Sequence, residues 1–280
     1  MKFVRKKDFF VGIDSDGTAF DTMTVKHTYA FIPCIIKQWQ LQTFEKEVYE
    51  TAEYINLYSS TRGINRFPGL VMIFDMLKEK LGERFDVGDY SSLRDFCESG
   101  AGLSNGGLEG YMEKHNDAFL EKVLLWSKEA DVEFSKKAHG LPPFENMAET
   151  VAKIKNYADI AVISAASAKS LKADWESGGV LEKVDYVAGQ EQGSKAEQLK
   201  IAEDAGYLPE KCLMIGDGIG DRDAAKKHGF CFYPIVPTRE TESWKALFDT
   251  YFDMFLNGTY KGAVEDGRYR EFLEFLMEGK

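Results

Sequence analysis

The chain has 280 residues, 44% of them hydrophobic and 29% charged, with a formal net charge of −11. That length buries a sizeable core in one large domain or two smaller ones, and the composition excludes fibrous and disordered classes. An acidic surface repels a phosphate backbone, which argues against a nucleic-acid partner; an anionic substrate would need positive charge gathered locally, from a metal, lysines or helix N-termini.

The four cysteines, Cys34, Cys97, Cys212 and Cys231, are scattered without a C-x-x-C pair and read as free thiols of a reducing compartment. The opening MKFVRKKDFFVGIDSDG has no apolar stretch long enough for a signal peptide, and no run approaches the ~18 apolar residues of a membrane span. The expectation is a cytoplasmic protein with no membrane partner.

In chain order, the first element is the apolar, β-rich run Phe9 to Ile13, which stops abruptly in Asp14-Ser15-Asp16-Gly17-Thr18. A buried strand ending in a polar, glycine-containing loop is the pattern of a parallel α/β sheet, where ligand chemistry sits at the carboxyl ends of strands. Residues 23–139 read differently, with helical patterns at Val25 to Tyr58, Pro68 to Leu81, Ser92 to Glu98 and Glu109 to Ala130. Two loops punctuate them, Thr61 to Gly69 and the glycine-rich Ser99 to Gly110. This stretch is expected to be a helical domain inserted after the first strand, with residues 1–22 and 140–280 forming the α/β core. In that core, strand patterns at Asp159 to Ile163, Val184 to Ala188, Cys212 to Ile215 and Phe230 to Tyr233 alternate with helical patterns at Phe144 to Lys155, Ala168 to Glu176, Lys195 to Ala205 and Asp221 to His228. Such alternation predicts a Rossmann-like parallel sheet with helices on both faces. After Pro237, Trp244, Phe248, Tyr251, Phe252 and Phe255 fall at helical spacing and predict a docking face, and a last helix runs from about Asp266 to Met277.

Asp14 and Asp16 are the leading candidates for chemistry. Carboxylates crowded at a strand end repel unless a cation neutralises them, which points to a nucleophile and an acid/base beside a divalent ion; the competing reading is a turn. Asp217 and Asp221, in Gly216-Asp217-Gly218-Ile219-Gly220-Asp221, again follow a short apolar strand. Asp221 also stands where a helix begins and can serve as its cap. The glycines resemble a dinucleotide fingerprint, but Asp221 occupies the required third glycine position and would repel a pyrophosphate. An EF-hand is excluded because the glycine of Asp14 to Thr18 comes too early and no glutamate follows at the required distance. Lys195 precedes a helical segment and can aim its ammonium at a phosphoryl group, or be one surface lysine among many. Ser164, closing the second strand pattern, can donate to a phosphoryl oxygen or cap a turn. The histidines His27, His115, His139 and His228 show no ligand spacing.

Together, Asp14-Ser15-Asp16-Gly17-Thr18, Ser164, Lys195 and Asp217 to Asp221 resemble, in order and type, the four motifs of the haloacid dehalogenase-like hydrolase superfamily. The resemblance covers about residues 8–22 and 140–237, and the helical insertion is similar to the family's C1-type cap. It implies a phosphatase in which Asp14 attacks phosphorus and Asp16 serves as acid and then base. It further implies Mg2+ held by the Asp14 carboxylate, the Asp16 backbone carbonyl and Asp217, with Ser164 and Lys195 on the phosphoryl oxygens and Asp221 behind them. Members that cleave carbon–halogen bonds lack the second aspartate, so Asp16 favours a small phosphorylated metabolite as substrate. Thr18, Phe20 and Asp21 correspond to the family's flap. Arg62 and Arg66 are candidates to grip a second anionic group, or are solvated arginines. The alternatives are a phosphosugar mutase of the same family and a non-catalytic binding protein on the same fold.

Overall fold

The structure is a computed structural model, and it describes residues 3–115, 117–138 and 140–278. The chain divides into two compact units, one of residues 3–23 and 140–278 and the other of residues 24–138.

The first unit is built on five parallel strands: β1 Phe9–Ile13, β2 Ala158–Ile163, β3 Tyr186–Ala188, β4 Cys212–Gly216 and β5 Cys231–Pro234. Their order is β3-β2-β1-β4-β5. The central strand β1 pairs with β2 (Ile13 opposite Val162) and with β4 (Ile13 opposite Ile215). Alternate residues feed two cores. Val11, Ile13, Ile160, Val162, Leu213 and Ile215 pack with residues of the helices Met147–Lys155, Ala168–Ser177 and Glu240–Ala246. Phe10, Ala161, Ile163, Met214 and Phe232 pack with the helices Lys195–Asp204 and Ile219–Lys227. This is the expected parallel α/β sheet with helices on both faces. Gly12 of β1 is fitted to that packing: a Cβ there would stand 3.1 Å from both Leu199 and Met214. Strand β3 is shorter than the β-rich run Val184 to Ala188, because a 3-10 turn at Leu181–Lys183 delays pairing until Asp185, whose N–H reaches the Ile160 carbonyl at 2.8 Å.

The C-terminal segment covers the edge strand β5. Phe232 donates its N–H to Glu265 at 2.7 Å, and its carbonyl accepts from the Tyr260 hydroxyl at 2.9 Å. Edge groups that would otherwise invite another chain are thereby occupied. The aromatic stripe predicted as a docking face buries Trp244, Phe252 and Phe255, while Phe248 remains 37% exposed. The last helix, Ala263–Glu278, starts a few residues earlier than the sequence pattern.

Among its described residues the regular elements of the second unit are all helices, around a core that includes Phe31, Trp39, Phe67, Phe74, Phe96 and Trp126. The pattern Val25 to Tyr58 is interrupted. Gln40 adopts a left-handed conformation (φ 57°), and the N–H of the buried Leu41 returns to the Ile36 carbonyl at 2.9 Å, closing the helix Ile32–Trp39. The pattern Glu109 to Ala130 is likewise two helices, Asn105–Met112 and Ala118–Lys137. The second starts where the Asp117 carboxylate accepts the N–H groups of Phe119 and Leu120. Among the described residues, no helix is long and apolar enough to cross a membrane.

Candidate active site

The carboxyl ends of β1 and β4 place Asp14 and Asp217 side by side. Asp14 extends the sheet by one bond, its N–H donating to Ile215 O at 2.9 Å. The chain then folds into a tight loop: the Ser15 carbonyl accepts from the N–H groups of Thr18, Ala19 and Phe20, and Gly17 takes a positive φ of 74° that a side chain would strain. The Thr18 hydroxyl donates to Asp217 Oδ1 at 2.8 Å, tying the first loop to the fourth strand. Asp16, half-buried, accepts a 2.6 Å hydrogen bond on Oδ1 from the Thr22 hydroxyl.

Asp221 lies in the first turn of the helix Ile219–Lys227, two residues inside its start. It caps from there, accepting the Gly218 N–H at 3.0 Å. Gly216 makes room for it, since a Cβ at 216 would come within 2.4 Å of the Asp221 carboxyl carbon. Lys195 opens the helix Lys195–Asp204, behind the capping pair Ser194 and Glu197. Its ammonium stands 2.6 Å from Asp221 and 3.0 Å from Asp14.

One oxygen from each of Asp14, Asp217 and Asp221 falls within 4.8 Å of the other two, and all three residues are buried. Burial pushes the Asp14 carboxyl well above the usual carboxylate range; Lys195 opposes the shift, while Asp221, Asp217 and Asp16 add to it. Asp221 is raised in the same way, by burial first, with Lys195 again opposing. Burial works to lower Lys195, but Asp14 and then Asp221 outweigh it, so the ammonium is held above the usual lysine range. Three crowded carboxylates against one ammonium leave an excess of negative charge, and their hard oxygen donors suit a divalent cation.

Ser164 is buried at the end of β2. Its hydroxyl accepts the Ala166 N–H at 3.1 Å, and no hydrogen bond joins it to the three carboxylates among the described residues. Arg62 and Arg66 belong to the helical unit. Arg62 donates to the Leu57 carbonyl at 2.7 Å; Arg66 meets Asp131 at 2.7 Å, donates to Ser127 and lies over the Phe31 ring. His27 is buried, His115 stacks on Tyr111 and His228 pairs with Glu203 at 2.9 Å; His139 lies outside the described residues.

Several supporting residues carry no local sequence signal. Gln198, 1% exposed, directs its amide nitrogen at the carbonyls of Ser164, Gly189 and Gly193, at 2.9, 3.0 and 3.0 Å. It thereby binds the Ser164 turn to the loop that leads into Lys195. Two indoles brace the loop that follows β1, Trp175 donating to the Ser15 hydroxyl at 3.1 Å and Trp244 to the Thr18 carbonyl at 2.8 Å.

Similar solved structures include a β-phosphoglucomutase from Clostridium difficile, 15% identical, with a TM-score of 0.50 over 89% of this chain and 96% of that one. Another is a HAD family hydrolase from Deinococcus radiodurans with bound phosphate and sodium, 14% identical, TM-score 0.49, over 83% of each chain. A third is the L-2-haloacid dehalogenase from Xanthobacter autotrophicus, 15% identical, TM-score 0.41, over 88% of this chain and 86% of that one. At such identities the likeness is one of fold. A search of curated proteins returns no significant match. The family model for haloacid dehalogenase-like hydrolases matches residues 11–229, a span that contains every motif residue of the site, and the chain belongs to that family of hydrolases.

Proposed function

We propose that the chain is a Mg2+-dependent phosphatase that hydrolyses a small phosphomonoester through an aspartyl phosphate on Asp14. The observation that carries this reading is the setting of Asp14: a buried carboxylate at a strand end, 3.0 Å from the Lys195 ammonium, in a carboxylate trio suited to a cation. Asp16, two residues on, supplies the acid/base that a phosphate ester needs and a carbon–halogen bond does not.

In the first step an Asp14 carboxylate oxygen forms a bond to phosphorus and the ester P–O bond breaks, with Asp16 giving its proton to the leaving oxygen. In the second, water attacks the same phosphorus while Asp16 takes its proton; the bond to Asp14 breaks, releasing phosphate and restoring both carboxyl groups. For either transfer, the Asp16 oxygen held by Thr22 must exchange that partner or leave the work to its other oxygen. Lys195 and Ser164 neutralise and orient the phosphoryl oxygens, and Asp221 holds Lys195 in place. The Asp14 and Asp217 carboxylates and the Asp16 carbonyl would hold Mg2+, which when bound offsets negative charge on the phosphoryl group. Arg62 and Arg66 are assigned to a second anionic group of the substrate; Arg66 would have to release Asp131 to serve it.

The test is phosphate release from a panel of small phosphomonoesters, with Mg2+, with a chelator, and with Asp14→Asn. Release that requires Mg2+ and vanishes in Asp14→Asn is expected. No release from any ester in the presence of Mg2+ would overturn the reading, and transfer of the phosphoryl group between sugar positions without free phosphate would establish the mutase instead.

A further inference from the structure

We propose that the helix Glu240–Ala246 is a working part of the catalytic site, with Trp244 a positioning residue that sets Asp217 for its divalent cation through Thr18. This rests on the metal reading above. The family match ends at residue 229, so nothing in the shared motifs assigns the segment a role.

The connection is two hydrogen bonds long. The Trp244 indole N–H donates to the Thr18 carbonyl at 2.8 Å, and the Thr18 hydroxyl donates to Asp217 Oδ1 at 2.8 Å. Trp244 and Thr18 have no exposed surface and Asp217 is 4% exposed, so water does not compete for either bond. Trp244 is itself held through its neighbour. The Ser243 carbonyl accepts from the Tyr233 hydroxyl at 2.7 Å. Ser243 also accepts the Val236 N–H at 3.1 Å, just beyond β5. The indole is therefore a fixed post against which the nucleophile loop is registered.

A buried indole seeks an acceptor for its N–H wherever it lies. What gives this bond consequence is the acceptor, the residue whose hydroxyl orients a candidate metal ligand. With one oxygen held by Thr18, the Asp217 carboxylate loses its freedom to rotate and the other oxygen is presented in one direction. Partners that orient a ligand govern metal affinity nearly as strongly as the ligand does.

Calorimetric titration of the full chain with Mg2+ tests this in wild type, Trp244→Phe, Thr18→Val, the double variant, and Tyr207→Phe, which removes the hydroxyl bonded to Asp159 at the far end of the sheet and touches neither Thr18 nor the helix Glu240–Ala246. Trp244→Phe and Thr18→Val should each weaken Mg2+ binding by about tenfold. The double variant should bind no more weakly than Thr18→Val alone, because both act on one path. Tyr207→Phe should melt at a lower temperature and bind Mg2+ as wild type does. Wild-type affinity in Trp244→Phe, full additivity in the double variant, or equal weakening in Tyr207→Phe would overturn the proposal. If Trp244→Phe does not fold, benzothienylalanine at 244 keeps the indole shape without the N–H: weakened binding in it supports the proposal and unchanged binding overturns it. A wild-type chain that takes no Mg2+ would remove the metal reading and this inference together, whereas binding shared equally by wild type and Trp244→Phe would remove the inference alone.

Discussion

The two ends of the parallel sheet both bury aspartates and treat them in opposite ways. At the amino end, Asp159 accepts the N–H groups of Lys6 and Lys7 at 2.7 and 2.9 Å on one oxygen, which also takes the Tyr207 hydroxyl. Asp185 beside it meets Lys6 at 3.0 Å and Lys155 at 2.6 Å and accepts the Ile160 N–H at 3.0 Å. Burial works to raise Asp185, but these donors outweigh it and hold its carboxyl below the usual range. At the carboxyl end, Asp14, Asp217 and Asp221 share Lys195, and Asp14 and Asp221 are raised. Burial alone therefore does not mark a functional carboxylate. Asp185, with donors enough for its charge, secures the fold, while Asp14 and Asp221, raised and sharing one ammonium, are left short of them, as the proposed cation and substrate roles require.

Asp14→Asn should break the contrast most sharply. It removes the proposed nucleophile, so phosphate release should fall by at least about 10⁴-fold. It also removes one of three crowded charges, so the metal-free protein should melt no lower than wild type. A large drop in melting temperature would mean that the carboxyl-end cluster is built for stability after all.

Asp159→Ala is the converse experiment. Two backbone N–H groups and the Tyr207 hydroxyl would lose their acceptor, and the loss expected from denaturant unfolding is about 3 kcal/mol. Phosphate release per folded molecule should be unchanged; a fall in it would show that the amino end communicates with the site.

Gln198→Met sharpens the comparison inside the carboxyl end. A primary amide has two hydrogens, yet three carbonyls surround its nitrogen, and its buried Oε1 has no partner among the described residues. A side chain kept for its donors at the expense of its acceptor is holding loops in place. Removing the donors should lower kcat by about 10²-fold through misplacement of Ser164 and Lys195, with KM for the ester little changed. A rise in KM at constant kcat would instead assign Gln198 to binding.

The carboxyl end was the legible one. Apolar runs that stop at Asp14 and Asp217, with glycines beside them, are local signals, and alternation of strand and helix supplied the sheet. What could not be read were partners remote in sequence: Trp244 lies 226 residues from the Thr18 it braces, and Trp175 160 residues from Ser15. The amino end was silent for the same reason, since Asp159 and Asp185 look like ordinary strand-edge residues until Lys6 and Lys155 arrive from elsewhere. In the helical unit the apolar periodicity runs on through residue 40, where only the left-handed Gln40 divides it, whereas the all-polar run 113–117 ending in the Asp117 cap was a break legible in the sequence and passed over. Helical periodicity reports which face is buried, and a break that preserves that face leaves it undisturbed.

The smallest effect concerns Asp185 and pH. Its folded carboxyl lies below the ordinary value of 3.8, so its contribution to stability is complete above that value and is lost as pH falls through the lower, folded one. Asp185→Asn should therefore cost about 1 kcal/mol at neutral pH, the net worth of a typical hydrogen-bonded contact. The difference between variant and wild type should begin to narrow near pH 4 and close further into acid. Denaturant unfolding of both proteins from neutral pH to about pH 3 measures it. A difference that stays constant through that range would mean that Asp185 acts by shape and hydrogen-bond geometry alone, and that charge balance is not what separates the two ends of the sheet.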